Sequence, residues 1–246
     1  MARIDTLGNF LSDVANAIRT AEGSSDEITA SDFDDRIEAL SGGGSDVSDY
    51  FVSTLDNPYG NDRISASLLK KVPGNITITG TCQNLFYYCL NLEEIGLINT
   101  TGFTDMRSMF SNCKKLSTIP IIDTSSVTNM NQMFSGSGIE TMPLLDTSNV
   151  TDMRYMFSAC TNLKNMPVLD TSSVTKMDGM FGSNANALTD ESVNNILQMC
   201  INATNYTSTK KLTGNSGMGL NIYTYTQARV SALSNYQAFL DAGWVW

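Results

Sequence analysis

The chain has 246 residues, 41% of them hydrophobic, and a formal net charge of −10, so it can bury a substantial core. It contains no histidine, which excludes histidine-based triads, zinc–histidine sites and the commonest general base. No cluster of Lys and Arg suits a nucleic-acid backbone and no apolar run approaches the ~18 residues that span a bilayer, so neither nucleic-acid binding nor membrane insertion is expected.

The charge is uneven. Residues 1–50 hold eleven acids against three arginines, a net −8, and the remainder holds fourteen acids against twelve bases. An acidic front keeps exposed helices soluble, with steering of a basic partner as the alternative. The opening MARIDTLGNFLSDVANAIRT is not a basic leader followed by an unbroken apolar segment. The expectation is therefore a protein that works inside a cell or leaves by a route other than signal-directed export.

Residues 5–41 read as a helical hairpin. Leu7, Phe10, Leu11, Val14 and Ile18 form one helical stripe, and AEGSSDE breaks it. Thr29 and Asp32 fit a capping box, Ile28 and Phe33 a hydrophobic staple, and Phe33, Ile37 and Leu40 continue a second apolar face. Two short helices with narrow stripes cannot form a monomeric core. Residues 1–41 are thus expected to anchor or oligomerise the protein, packing on copies of themselves in a homo-oligomer or on a larger particle. A Gly/Ser linker follows at 42–49. Residues 50–81 read as an N-terminal capping region, with SASLLKKV as a short helix and NITIT as a strand.

A period dominates residues 82–188. Phe86, Phe110, Phe134, Phe157 and Phe181 are spaced by 24, 24, 23 and 24 residues, the mark of units stable only on their neighbours. The expected fold is an α/β solenoid: about five 24-residue units, a helical hairpin before them and a helical C-terminal cap at 189–246. LSTIPII, IETMPLL and LKNMPVL read as short parallel strands, the Asp-Thr-Ser after each as a turn, and Met-x-x-Met-Phe as a helical or 3₁₀ turn. In the last part, Val193, Ile196, Leu197 and Cys200 give a helical stripe and TQARVSALS suggests another helix.

Val-Thr-x-Met-x-x-Met-Phe recurs at 127–134, 150–157 and 174–181. With DTSNVTDMRYMFSACTNL at 146–163, it resembles the BspA-like leucine-rich repeats of bacterial surface proteins. The resemblance implies a right-handed leucine-rich-repeat-like stack on an adhesive, host-contacting protein. The front segment LGNFLSDVANAIRTAEGSSDEITASDFDDRIEAL looks like the N-terminal module of tail and minor structural proteins of phages of Gram-positive bacteria. LTDESVNNILQMCINATNYT and LSNYQAFLDAGW look like phage-encoded versions of such repeat proteins. Together these imply a non-enzymatic virion protein (tail, baseplate or capsid fibre) with no cofactor. Its hairpin would meet other virion proteins and its repeats a host surface glycan or protein. The alternative is a bacterial cell-surface adhesin.

The non-repeating outward positions are the candidate contacts: Glu93, Glu94, Ser117, Thr118, Glu140, Thr141, Lys164 and Asn165, with Arg154 and Tyr155 between the methionines. Strict alternation cannot bury both members of Ile121–Ile122, Leu144–Leu145 and Val168–Leu169. Either one apolar row faces outward or the chain bulges to bury both. Asp123, Asp146 and Asp170 share a column with Asn99. Each carboxylate is expected to accept N–H groups of its own turn, a cation ladder being the alternative. Cys89, Cys113 and Cys160 follow a repeat phenylalanine by three residues, where Ser137 and Asn184 stand elsewhere. That column of small residues reads as core thiols, with disulfides or metal ligation as the alternative.

Overall fold

The computed structural model describes residues 54–57, 70–72, 76–183, 188–214, 216–220 and 225–246. The hairpin residues Leu7, Phe10, Leu11, Val14, Ile18, Phe33, Ile37 and Leu40, and the linker, lie outside them.

Five strands occupy the front: β1 (Thr54–Asn57), β2 (Lys71–Val72), β3 (Ile76–Gly80), β4 (Glu94–Ile95) and β5 (Ile98–Asn99). All pair in parallel, as a three-stranded sheet ordered β1-β3-β5 and a two-stranded β2-β4 pair. The β-branched run NITIT supplies β3. The described end of SASLLKKV is not helical, since Lys71 and Val72 form β2.

From residue 82 to 183 the chain makes rung after rung of tight turns. In one rung Met133 N–H donates to the Met130 carbonyl at 3.1 Å, closing a turn whose third residue, Gln132, has φ of 57°. Positive φ at that position defines a type II turn. Asn84, Ser108, Tyr155 and Gly179 repeat it, and Tyr88, Asn112, Gly136, Ala159 and Ser183 form a second left-handed column four residues on. A right-handed helix cannot pass through left-handed residues, so the helical turn expected at Met-x-x-Met-Phe does not form.

Alternate N–H groups then point along the ladder. Met130, Gln132, Phe134 and Gly136 donate to Asp152, Arg154, Met156 and Ser158 carbonyls at 2.9, 2.9, 3.0 and 2.7 Å. This registry lays the five phenylalanine rings over one another at centroid distances of 5.5, 5.5, 5.8 and 5.6 Å, near parallel throughout. Each ring is fully buried among the methionines, which stabilises the column by roughly 1.5–3 kcal/mol per side chain.

After residue 188 the period ends. Helix α1 (Asp190–Asn202) starts at Thr189, whose hydroxyl oxygen accepts from Ser192 N–H, with Asp190 and Glu191 in the first turn where the helix dipole favours anions. It buries Val193, Ile196, Leu197 and Cys200, the stripe read from the sequence. Helices α2 (Gln227–Ser231) and α3 (Tyr236–Asp241) follow, and the buried Trp244 stacks on Tyr206 at 5.3 Å. The ladder's last rung is met by residues from a distant stretch: Gly179 and Phe181 N–H groups donate to the Gly217 and Met218 carbonyls at 2.6 and 2.8 Å. No helix of the described residues is long and apolar enough to cross a membrane.

These elements overturn the expected fold class. A leucine-rich-repeat-like α/β solenoid needs a strand from every unit joined into one sheet. The described residues instead hold strands of two to five residues in two small sheets, the last ending at Asn99, and three helices, the first beginning at Asp190. No solenoid of stacked strand-and-helix units is present among them. The physical reason is visible in one column. Gly96 donates its N–H to the Val72 carbonyl at 2.8 Å between β4 and β5. Pro120, Pro143 and Pro167 stand at the same position and have no N–H to give. In LSTIPII, IETMPLL and LKNMPVL no strand forms, and the pairing there reduces to an isolated Thr141–Asn165 bridge.

Candidate binding face

The side of the ladder that carries these prolines is where side chains reach solvent. Ile122, Leu145 and Leu169 point into the core, whereas Ile121 and Leu144 are 80% and 70% exposed. Leu97, one rung earlier and not singled out in the sequence, is 61% exposed, and Val168, one rung later, is half-buried. The backbone therefore does not bulge to bury both members of each pair, and an apolar row faces outward. The signal for Leu97 was its column, Leu97–Ile98 aligning with Ile121–Ile122.

Two residues further along each rung stand Asp123, Asp146 and Asp170, all exposed. Each carboxylate accepts the N–H of the serine two residues on: Ser125 at 3.0 Å, Ser148 at 3.0 Å and Ser172 at 2.8 Å. Asn99 accepts from Thr101 N–H in the same way at 3.0 Å. The expected Asx turn is thus what forms. Hydrogen bonds from the serine hydroxyl, then from its backbone N–H, hold all three carboxyls below their ordinary range. A second such column escaped the sequence reading: Asp105, Asn129 and Asp152 accept from the N–H groups of Arg107, Asn131 and Arg154 at 2.9, 3.0 and 3.1 Å.

The candidate contacts fall into two groups. Glu93, Glu94, Ser117, Thr118, Glu140, Thr141, Lys164 and Asn165 form one exposed ridge just before the proline column, and much of it is paired across rungs. Lys115 meets Glu93 at 3.4 Å, Lys71 meets Glu94 at 3.2 Å, and Lys164 meets Glu140 at 2.8 Å. Asn165 donates to the Thr141 hydroxyl at 3.2 Å. Such exposed pairs add little stability each but fix the ridge's side chains. Arg154 and Tyr155 lie apart, on the methionine turn. Arg154 grips Asp152 at 2.6 Å, and the Tyr155 ring lies over Gly179, where any Cβ would collide with it. Both nonetheless keep about two fifths of their surface accessible.

All five cysteines are free and buried. Cys113 and Cys160 donate to the Phe86 and Phe134 carbonyls at 3.1 and 2.9 Å, so the column of small residues reflects a short donor reaching back one rung. Burial pushes the Cys82 and Cys89 thiols up to about 12 and Cys160 to about 11, which keeps them in the unreactive form. A groove of about 350 Å³ lies beside the ridge, against α1. Two of its polar groups are engaged with backbone: Ser192 Oγ accepts from Met166 N–H at 2.9 Å and Asn195 donates to the Met166 carbonyl at 2.8 Å.

Among known proteins, no curated protein and no solved structure matches this chain. One family does, over residues 80–192 and again over 137–218. The two overlapping matches span the whole turn ladder, α1 and the segment that meets the last rung, more than half of the chain. The chain belongs to the family described as Mycoplasma protein of unknown function, DUF285.

Proposed function

We propose that this is a non-enzymatic structural protein of a phage virion, a component of a tail, baseplate or capsid fibre, whose turn ladder offers one flank for attachment to a host surface. The observation that carries the binding half is the row of exposed Leu97, Ile121 and Leu144, kept in register by the hydrogen-bonded methionine side of the same rungs. Large apolar side chains displayed in register are the mark of an interaction surface. A binding rather than catalytic role fits a chain without histidine, whose thiols are buried. The virion half rests on the resemblance of the acidic front hairpin and the C-terminal segments to phage structural proteins, with the hairpin docking to other virion proteins or to copies of itself.

A second reading is a bacterial cell-surface adhesin of the BspA-like type. It is favoured by the family match, described as a Mycoplasma protein, and by the Val-Thr-x-Met-x-x-Met-Phe resemblance. Immunoblotting of gradient-purified particles against host envelope fractions separates the two. Presence in particles, lost on deletion of residues 1–45, is the expected result. Presence only in the envelope fraction would establish the adhesin instead.

A further inference from the structure

From the proline side of the ladder we infer that the outward strip is a docking site for a cationic amphipathic helix of another protein. This goes beyond attachment in general by naming the partner's chemistry, and it rests on reading the protein as a binding module. Along each rung, exposure alternates as in extended backbone: Ile121 out, Ile122 in, Asp123 out, and likewise Leu144, Leu145 and Asp146. Residues two apart share a face. The strip therefore carries two adjacent columns running up the ladder, one apolar (Leu97, Ile121, Leu144) and one anionic (Asp123, Asp146, Asp170), with no Lys or Arg in either column. The carboxylates are not neutralised by cations in their turns; they accept from serine, which keeps them ionised.

The geometry suits a helix lying along the ladder. Backbone-bonded rungs recur at about 5 Å, against a helical pitch of about 5.4 Å, a mismatch that stays small over three rungs. One helical stripe of apolar residues, successive turns on successive rungs, would cover Leu97, Ile121 and Leu144. An adjoining stripe of Lys or Arg would stand over the three aspartates. Charge argues against the chain's own material as occupant. A second copy brings the same aspartates and a net −10, and residues 1–50 carry −8.

The test uses the full chain and a labelled helical peptide of about 18 residues with one Leu stripe beside one Lys stripe, followed by fluorescence anisotropy. A scramble of the same composition is the control. Ile121→Ser with Leu144→Ser, and separately Asp123→Asn, Asp146→Asn and Asp170→Asn together, probe the two columns. Asn99 already makes the same turn, so the Asn variant keeps the backbone, which circular dichroism checks. Binding of the striped peptide alone, weakened by added salt and reduced about ten-fold or more by either variant set, is the expected result. Equal binding of the scramble, or binding indifferent to both variant sets, would overturn the proposal. So would self-association abolished by the Ile121/Leu144 changes, which would make a second copy the occupant. Because purified protein is used, a failed particle-incorporation experiment leaves this outcome intact.

Discussion

The two sides of the turn ladder are built from one repeating sequence yet held by different means. On the methionine side alternate backbone N–H groups bond from rung to rung, and the phenylalanine rings stack beneath them. On the proline side no backbone hydrogen bond joins the rungs across residues 120–126, 143–149 or 167–173. Side chains take over there: Thr100 and Thr147 donate to the Asp123 and Asp170 carbonyls at 2.8 and 2.9 Å, and Asn149 to the Ser125 carbonyl at 2.8 Å. A short repeat can thus divide its labour, one side fixing registry and the other left free to display apolar and charged groups.

The largest test of that division is on the methionine side. Phe134→Ala opens a gap between Phe110 and Phe157 and should cost about 3–5 kcal/mol in urea unfolding, against under about 1 kcal/mol for Ile121→Ser on the exposed row. Comparable losses would erase the distinction. Next comes the rung where the proline side does use backbone. Gly96→Pro removes the bond to Val72 and should cost about 1–3 kcal/mol, whereas Pro143→Ala, which has no such bond to lose, should cost no more than about 1 kcal/mol.

A finer contrast lies in the threonine column. Thr147→Val deletes a made hydrogen bond and should destabilise by about 1 kcal/mol. Thr124, buried with its hydroxyl unpartnered, should tolerate Thr124→Val with no loss or a slight gain. The smallest effect is electrostatic. Asp123, Asp146 and Asp170 have folded pKa values below their unfolded ones. Their contribution is therefore present above the ordinary carboxylate range, about pH 4, and is lost as pH falls through the lower folded values. The triple Asn variant should flatten that acid limb of the stability profile.

The sequence made the methionine side legible through its phenylalanine period and its small-residue column, and the proline side through the Asx turns at Asp123, Asp146 and Asp170, because each depends on residue type recurring at one spacing. Two features were missed for physical reasons. Pro120, Pro143 and Pro167 deny a ladder N–H in segments whose apolar content otherwise suits strands. The left-handed backbone is hidden where Ser108, Gln132 or Tyr155 adopts it, and shows only from Asn84 and Gly179 in the same column. Which of two adjacent apolar residues faces water, Ile121 or Ile122, was open from alternation alone and was settled by the turn geometry around it.

Anomalous diffraction from selenomethionine-labelled protein tests the ladder most directly. Met106, Met130, Met153 and Met177 should give one row of selenium sites, and Met109, Met133, Met156 and Met180 a second beside it, each stepping about 5 Å per rung. Selenium sites dispersed without two parallel rows would contradict it.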